Sequence, residues 1–182
     1  MFECDPMEIP GVLLIRPSVW RDDRGFFLET YHAREFARLG IHDRFVQDNR
    51  SCSVRHTLRG LHYQVGRPQA KLCSVVRGAA LDVAVDVRRG SPSFGRWVSA
   101  VLTEENKHQM YVPIGFAHGF LALADHTELL YKCSDFYDPL AEQGIFWADP
   151  DLAINWGTER PLLSDKDARN PPLARIAPDR LG

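Results

Sequence analysis

The stretch LRGLHYQ, residues 58 to 64, sets Arg59, His62, Tyr63 and Gln64 within six positions, where strand-like sequence begins. A sheet interior takes apolar side chains, so four polar groups there describe either a solvated face or a pocket lined for chemistry. Histidine is the side chain suited to proton transfer near neutral pH, and His62 has Arg59 and Lys71 close to it in sequence. A neutral imidazole beside cations is a usable general base. A second stretch, PIGFAHGF over residues 113 to 120, sets a proline and two glycines around His118. The other histidines, His32, His42, His56, His108 and His126, have no such context. As ordinary residues, Arg59 and Lys71 are solvated strand ends, and spacing alone does not choose between the two readings.

Strands have to position these groups. LDVAVDV alternates strictly, with Leu81, Val83, Val85 and Val87 on one face and Asp82, Ala84 and Asp86 on the other. RRGSPSFG follows as a turn-rich connector and RWVSAVL resumes a strand. Further short strands are predicted through KLCSVV, HQMYV, GFLAL and ELLYKCSDFY. The best helix candidate is HAREFARLG, with Phe36 and Leu39 on one side and Gly40 as a stop. Many short strands with turn signals between them imply a mainly β fold. The expected form is a cupin-type jelly-roll sandwich or barrel with a few short helices, holding a small-molecule pocket between its sheets. The 182 residues are expected to form a single domain, 1–182, with the proline- and charge-rich tail after Trp156 wrapping the surface or a partner subunit.

Composition removes several classes of function. Twenty-two Lys and Arg against 24 Asp and Glu leave a net charge of −2, with the basic residues scattered, so nucleic acid is not an expected partner. No apolar run reaches the roughly 20 residues that cross a bilayer, and the first ten residues carry no signal-peptide pattern, so a cytoplasmic protein without membrane contact is expected. The four cysteines form no C-x-x-C pair and read as free thiols, Cys73 and Cys133 acting as small apolar residues within predicted strands. Metal-binding cupins present H-x-H where this chain has His62 and Gln64. A His62, Gln64 and His118 set is a poor one for iron, manganese or zinc, and no metal is expected.

Serial motifs carry the reading further. LRGLHYQ, with QDNRSCS ahead of it and PQAKL, DVAVDVRRGSPSFG, PIGFAHGF, ELLYKCSDFYDP, GIFWADPDLAINW and LSDKDA after it, closely resembles the dTDP-4-dehydrorhamnose 3,5-epimerase family from about Gly11 to Ala168. The resemblance implies inversion of carbons 3 and 5 of a nucleotide-linked 4-keto-6-deoxyhexose, by removal and return of protons made acidic by the neighbouring ketone, with no cofactor. It implies His62 as base, Asp167 as the group that orients it, Tyr131 as the acid on the opposite face and Lys71 as a charge on the enolate oxygen. It also implies substrate contacts from Arg24, Glu29, Gln47, Asn49, Arg59, Lys71, His118, Glu142 and Lys166, and stacking of Tyr137 on thymine. Asp82, on the non-aliphatic face of LDVAVDV, is a candidate partner for one of these cations. Family members are typically homodimers, and Arg24 or Glu29 is the candidate to reach the neighbouring pocket.

Without the resemblance, Tyr131 reads as a core tyrosine, the RDDRG around Arg24 as an exposed turn, and Gln47 with Asn49 as a capping segment. The chain departs from the family at Ala70 and His56, where glycine is common; neither removes a proposed catalytic group. Three other readings stand beside the double epimerase. One is an enzyme of the same fold that inverts only carbon 3 or carbon 5, or moves the ketone, on a secondary-metabolite route. Another is a non-catalytic cupin that binds a nucleotide sugar, and the third a metal-dependent oxygenase.

Overall fold

The structure is a computed structural model and describes residues 1–181. Strands β1 (Phe2–Pro6), β2 (Leu13–Pro17), β5 (Gln47–Ser53), β7 (Lys71–Arg77), β10 (Gln109–Val112) and β12 (Thr127–Cys133) form a six-stranded sheet in the order β1-β2-β10-β7-β12-β5. Strands β6 (Leu58–Gln64), β8 (Ala79–Asp86), β9 (Trp97–Thr103), β11 (Phe116–Ala122) and β13 (Glu142–Gly144) form a five-stranded sheet in the order β13-β6-β11-β8-β9. Neighbouring strands in both sheets are antiparallel, and the sheets pack as the jelly-roll sandwich the strand pattern predicts. A separate hairpin, β3 (Trp20–Asp22) with β4 (Gly25–Phe27), stands apart from both sheets.

Three apolar layers hold the sandwich. Between the sheets, Val75, Met110 and Leu129 from one side meet Ala84, Val98, Leu102, Phe116 and Phe120 from the other. Helix α1 (Ala33–Arg38), capped by His32 through the Glu35 amide, lays the buried Phe36 on the outer face of the six-stranded sheet against Phe2, Ile15 and Leu72. Against the outer face of the five-stranded sheet, the segment after β13 brings Ile145, Leu152, Trp156 and Leu173 onto Val83, Val85 and Val87. Burying each of those valines is worth about 1.5 to 3 kcal/mol. The aliphatic face of β8 therefore looks outward under the C-terminal tail, and its partner face, carrying Asp82 and Ala84, looks into the sandwich. The tail wraps this chain's own surface, as the two-way expectation allowed.

Two strand assignments differ from the sequence reading. The run ELLYKCSDFY stops at Cys133, because Asp135 and Asp138 cap turns: Asp135 accepts from the Phe136 amide and Asp138 from the Leu140 amide. Gln47 and Asn49 lie on a strand rather than a capping segment, since QDNRSCS pairs along β12 with Asn49 opposite Tyr131. This is an edge strand, whose half-exposed polar side chains give no apolar alternation to read. Among the described residues no helix is long and apolar enough to cross a membrane.

Candidate active site

The polar cluster of β6 depends on an irregularity in its pairing. His62 lies opposite His118 and Arg59 opposite Phe120, so three steps along β6 span two along β11. Residues three apart in a regular strand point to opposite faces. The bulge instead turns both Arg59 and His62 into the sandwich, where they line one cavity, while Leu58, Leu61 and Tyr63 join the outer layer. Gly60 makes this possible. Its φ is +120°, and a Cβ there would stand 2.6 Å from Gly119 Cα and 2.8 Å from the His118 carbonyl oxygen. The Gly60–Leu61 peptide bond is cis.

His62 is held at one nitrogen and open at the other. Its Nε2 lies 2.6 Å from Asp167 Oδ1, in a buried carboxylate on a 3-10 turn of the tail, Asp167–Arg169. Burial pushes Asp167 up, but the hydrogen bond and charge of His62, with Ser164 and the Gly60 amide, outweigh it and hold the carboxyl below its ordinary value. An ionised carboxylate only accepts, so the proton of a neutral His62 sits on Nε2 and the lone pair on Nδ1. That Nδ1 faces Glu142, with Oε1 at 3.8 Å. Glu142 also takes hydrogen bonds from the Tyr137 hydroxyl at 2.8 Å and from Lys166. Burial raises its pKa, and the bonds from Lys166 and Tyr137 together with the nearby His62 bring it below the usual carboxylate value.

Tyr131 stands on the other sheet. It shares with His62 and Lys71 the walls of both lobes of the cavity, of about 300 Å³ and about 290 Å³. Burial, reinforced by the nearby Cys133 and Cys73, pushes its phenol up to about 12, so it stays protonated and able to donate at neutral pH. Gln47, Asn49, Tyr137 and Glu142 line the first lobe, and Arg59, His118, Lys166 and Asp167 the second. Arg59 is braced by Ser53 Oγ at 3.1 Å. His118 Nε2 lies 2.7 Å from Asp82 Oδ1, so Asp82 meets this imidazole rather than Lys71 or Arg59.

Eleven of the residues singled out in the sequence thus converge on one cavity. Two do not: Arg24 sits in the β3–β4 hairpin bonded to Asp22, and Glu29 lies 4.0 Å from the N-terminal amine. The hairpin leaves Trp20, Phe26 and Phe27 exposed. Gln64 is a residue whose role the sequence reading did not assign. Its Nε2 donates to the Arg67 and Phe136 carbonyls, and its Oε1 accepts from the Asp138 amide, which fixes the turn carrying Tyr137. Its position two residues after His62, on the same strand face, was the available signal. With its amide engaged in this way, Gln64 is not offered to a metal beside His62.

The chain is similar to known proteins over nearly its whole length. The sequence model of the dTDP-4-dehydrorhamnose 3,5-epimerase family matches residues 6–175. The dTDP-4-dehydrorhamnose 3,5-epimerase of Pseudomonas aeruginosa is 51% identical over 170 residues, which span 92% of this chain and 94% of that one. The enzyme of the same name from Methanothermobacter thermautotrophicus is 46% identical over 168 residues, 91% of each chain. Among solved structures, dTDP-6-deoxy-D-glucose-3,5-epimerase from Legionella pneumophila, crystallised with dTDP-4-keto-L-rhamnose, superposes with a TM-score of 0.97 at 46% identity, covering 100% of this chain and 97% of that one.

Proposed function

The chain belongs to the dTDP-4-dehydrorhamnose 3,5-epimerase family, and from that premise we propose how its cavity performs the reaction. The protein is an isomerase that inverts carbons 3 and 5 of dTDP-4-keto-6-deoxy-D-glucose, giving dTDP-4-keto-L-rhamnose in dTDP-L-rhamnose biosynthesis. The arrangement that carries the mechanistic reading is the His62–Asp167 pair on one sheet and its tail, facing Tyr131 across the cavity from the other sheet.

The hydrogens on carbons 3 and 5 are acidic because the electrons of the broken C–H bond pass onto the carbon-4 oxygen. His62 Nδ1 takes the proton, and Asp167 stabilises the imidazolium that results. Lys71, with Arg59 and His118 in the same lobe, offsets the enolate charge. Tyr131 then gives its phenolic proton to the opposite face of the carbon and recovers one from solvent, while His62 releases the proton it took. Each centre is inverted and no electrons are lost or gained, so the step asks for no redox cofactor.

Tyr137 stacks on the thymine, and Gln47, Asn49, Glu142 and Lys166 bind the nucleotide side of the substrate, Lys166 meeting its phosphates. Arg24 and Glu29 serve the pocket of a second copy: the protein works as a homodimer in which the β3–β4 hairpin, with Trp20, Phe26 and Phe27 otherwise bare, reaches the neighbouring subunit. The reading is completed by a single cupin-like domain over 1–182, acting in the cytoplasm. A non-catalytic binding protein has no use for a base with a fixed tautomer opposite a protonated phenol.

Proton NMR of dTDP-4-keto-6-deoxy-D-glucose in heavy water tests the mechanism. The wild type is expected to place deuterium at carbons 3 and 5, and His62→Ala to place it at neither while still binding dTDP. Deuterium incorporation by His62→Ala at the wild-type rate would remove His62 as the base.

A further inference from the structure

Behind the second lobe lies a group of side chains that the proton transfers leave unexplained. Cys73 on β7, Asp82 on β8 and His118 on β11 come from both sheets and bring one sulfur, one oxygen and one nitrogen within 4.8 Å of one another. Cys73 and Asp82 are fully buried and His118 is 6% exposed. His118 Nε2 stands 2.7 Å from Asp82 Oδ1 and 3.4 Å from Cys73 Sγ. The second carboxylate oxygen, Asp82 Oδ2, is buried and has no hydrogen-bond partner among the described residues. A bare carboxylate oxygen in a core is costly unless something meets it.

We propose that Cys73, Asp82 and His118 form a binding site for a divalent cation of the zinc class, and that the bound ion inhibits the epimerase reversibly. The donor set is of the kind zinc takes, combining thiolate, imidazole and carboxylate. Typical zinc bond lengths in a tetrahedron put a nitrogen and a sulfur donor about 3.5 Å apart and a nitrogen and an oxygen about 3.3 Å apart. The nitrogen–sulfur pair is already at 3.4 Å, and the His118–Asp82 pair has to open by roughly half an ångström as its hydrogen bond gives way to two metal bonds. With the carboxylate bidentate on the ion, Asp82 Oδ2 gains the partner it lacks. Of the three residues only His118 lines the cavity, and this gives the ion its route.

The charges balance. Cys73 loses its thiol proton to the buffer as the sulfur–metal bond forms, and the thiolate with Asp82 offsets the two charges of the ion. Burial and the Asp82 charge keep the Cys73 thiol protonated in the empty site, with Lys71 opposing them, so it is the sulfur–metal bond that displaces the proton. Inhibition follows from position: a bound ion takes the His118 ring off Asp82 and out of its place in the lobe that holds Lys71 and Tyr131.

The test uses the full chain, treated with chelator and then titrated with Co²⁺ without substrate, followed by Zn²⁺ inhibition of epimerisation with and without EDTA. A Cys4→Ser, Cys52→Ser background removes the two thiols nearer the surface. One equivalent of Co²⁺ is expected to give a thiolate-to-cobalt charge-transfer absorption that Zn²⁺ abolishes, and Zn²⁺ to inhibit turnover reversibly. Cys73→Val is expected to lose the absorption, keep its metal-free turnover and need at least about tenfold more Zn²⁺ for half-inhibition. Absence of the cobalt–thiolate absorption in the wild-type chain would overturn the site, and this reading needs no variant to fold. A Cys73→Val or Cys73→Ala enzyme as sensitive to Zn²⁺ as its parent would overturn the link to inhibition.

Discussion

Asp167→Asn isolates the electrostatic part of the site. The substitution keeps volume and removes a charge that lies 2.6 Å from His62 Nε2 in a buried position. In the proposed mechanism His62 becomes a cation when it accepts a substrate proton, and the carboxylate is what stabilises it. With charge centres about 4 Å apart and an effective dielectric constant near 20, the pair is worth about 4 kcal/mol. At 1.36 kcal/mol per tenfold, loss of that attraction slows proton abstraction by roughly 10³-fold. The amide carries a second fault, since its NH₂ group can turn to His62 Nε2 and drive the imidazole proton onto Nδ1, the nitrogen that must be free. Deuterium wash-in at carbon 3 in heavy water reads the abstraction step directly, and dTDP affinity reads whether the pocket survives. The expected result is exchange slowed by about 10³-fold with dTDP binding changed no more than a few-fold. Exchange within a factor of about ten of wild type, in a folded protein, would refute the reasoning and leave Asp167 as a structural anchor for the tail.

Tyr131→Phe is expected to cut epimerisation by about 10²-fold or more while deuterium exchange falls much less, because abstraction does not need the opposite-face acid; parallel losses would contradict that role. Tyr137→Ala should weaken dTDP binding by roughly 10- to 100-fold, the scale of one stacked base, as titration calorimetry would read it. Gly60→Ala puts a Cβ into Gly119 at a positive φ, and urea unfolding is expected to show roughly 2 to 6 kcal/mol lost from the strain and the clash. Stability should also fall between pH 10 and 12. Burial raises the Tyr63 and Tyr131 phenols to about 12 in the folded chain. The unfolded chain releases those protons near 10, so in this window it binds fewer of them and stability drops by up to about 1.4 kcal/mol per pH unit for each tyrosine. Tyr63→Phe should shallow that slope in urea titrations at pH 9 and 11, and an unchanged slope would argue against the burial effect.

The sequence offered the residue types that line the cavity more readily than their geometry. The strict alternation of LDVAVDV correctly separates two faces, yet it does not say which face looks into the sandwich. Val83, Val85 and Val87 face outward because residues 145 to 173 supply a third layer over them, a distant contact that no local pattern records. Arg59 and His62 fall on opposite faces by strand period, and only the bulge at Gly60 brings them together. Asp167 was reachable through resemblance alone, since 105 residues of sequence separate it from His62. The apolar core and α1 were legible because burial leaves a periodic trace, as with Phe36. Edge strand β5 was not, because its side chains answer to a pocket on one face and to water on the other.

Inversion at a carbon requires proton removal on one face of the sugar and delivery on the other, so base and acid cannot stand side by side. A two-sheet sandwich meets that requirement through its own geometry. His62 belongs to the five-stranded sheet and Tyr131 to the six-stranded one, and sheets packed face to face lie about 10 Å apart, room for a flat ring between two side chains. The apolar layer of Val75, Met110, Leu129 and Phe116 keeps the sheets together, which frees the polar residues from carrying the packing. The proposed base, His62, is met from outside the sandwich by Asp167 on the tail. That tail is anchored separately, where the Leu173 amide donates to Asp149 Oδ2 at 2.6 Å and Leu173 packs on the outer layer. Under the proposed mechanism, loosening this anchor would misorient His62 without touching a residue in the cavity, and activity would then depend on the packing of the C-terminal segment as well as on the pocket.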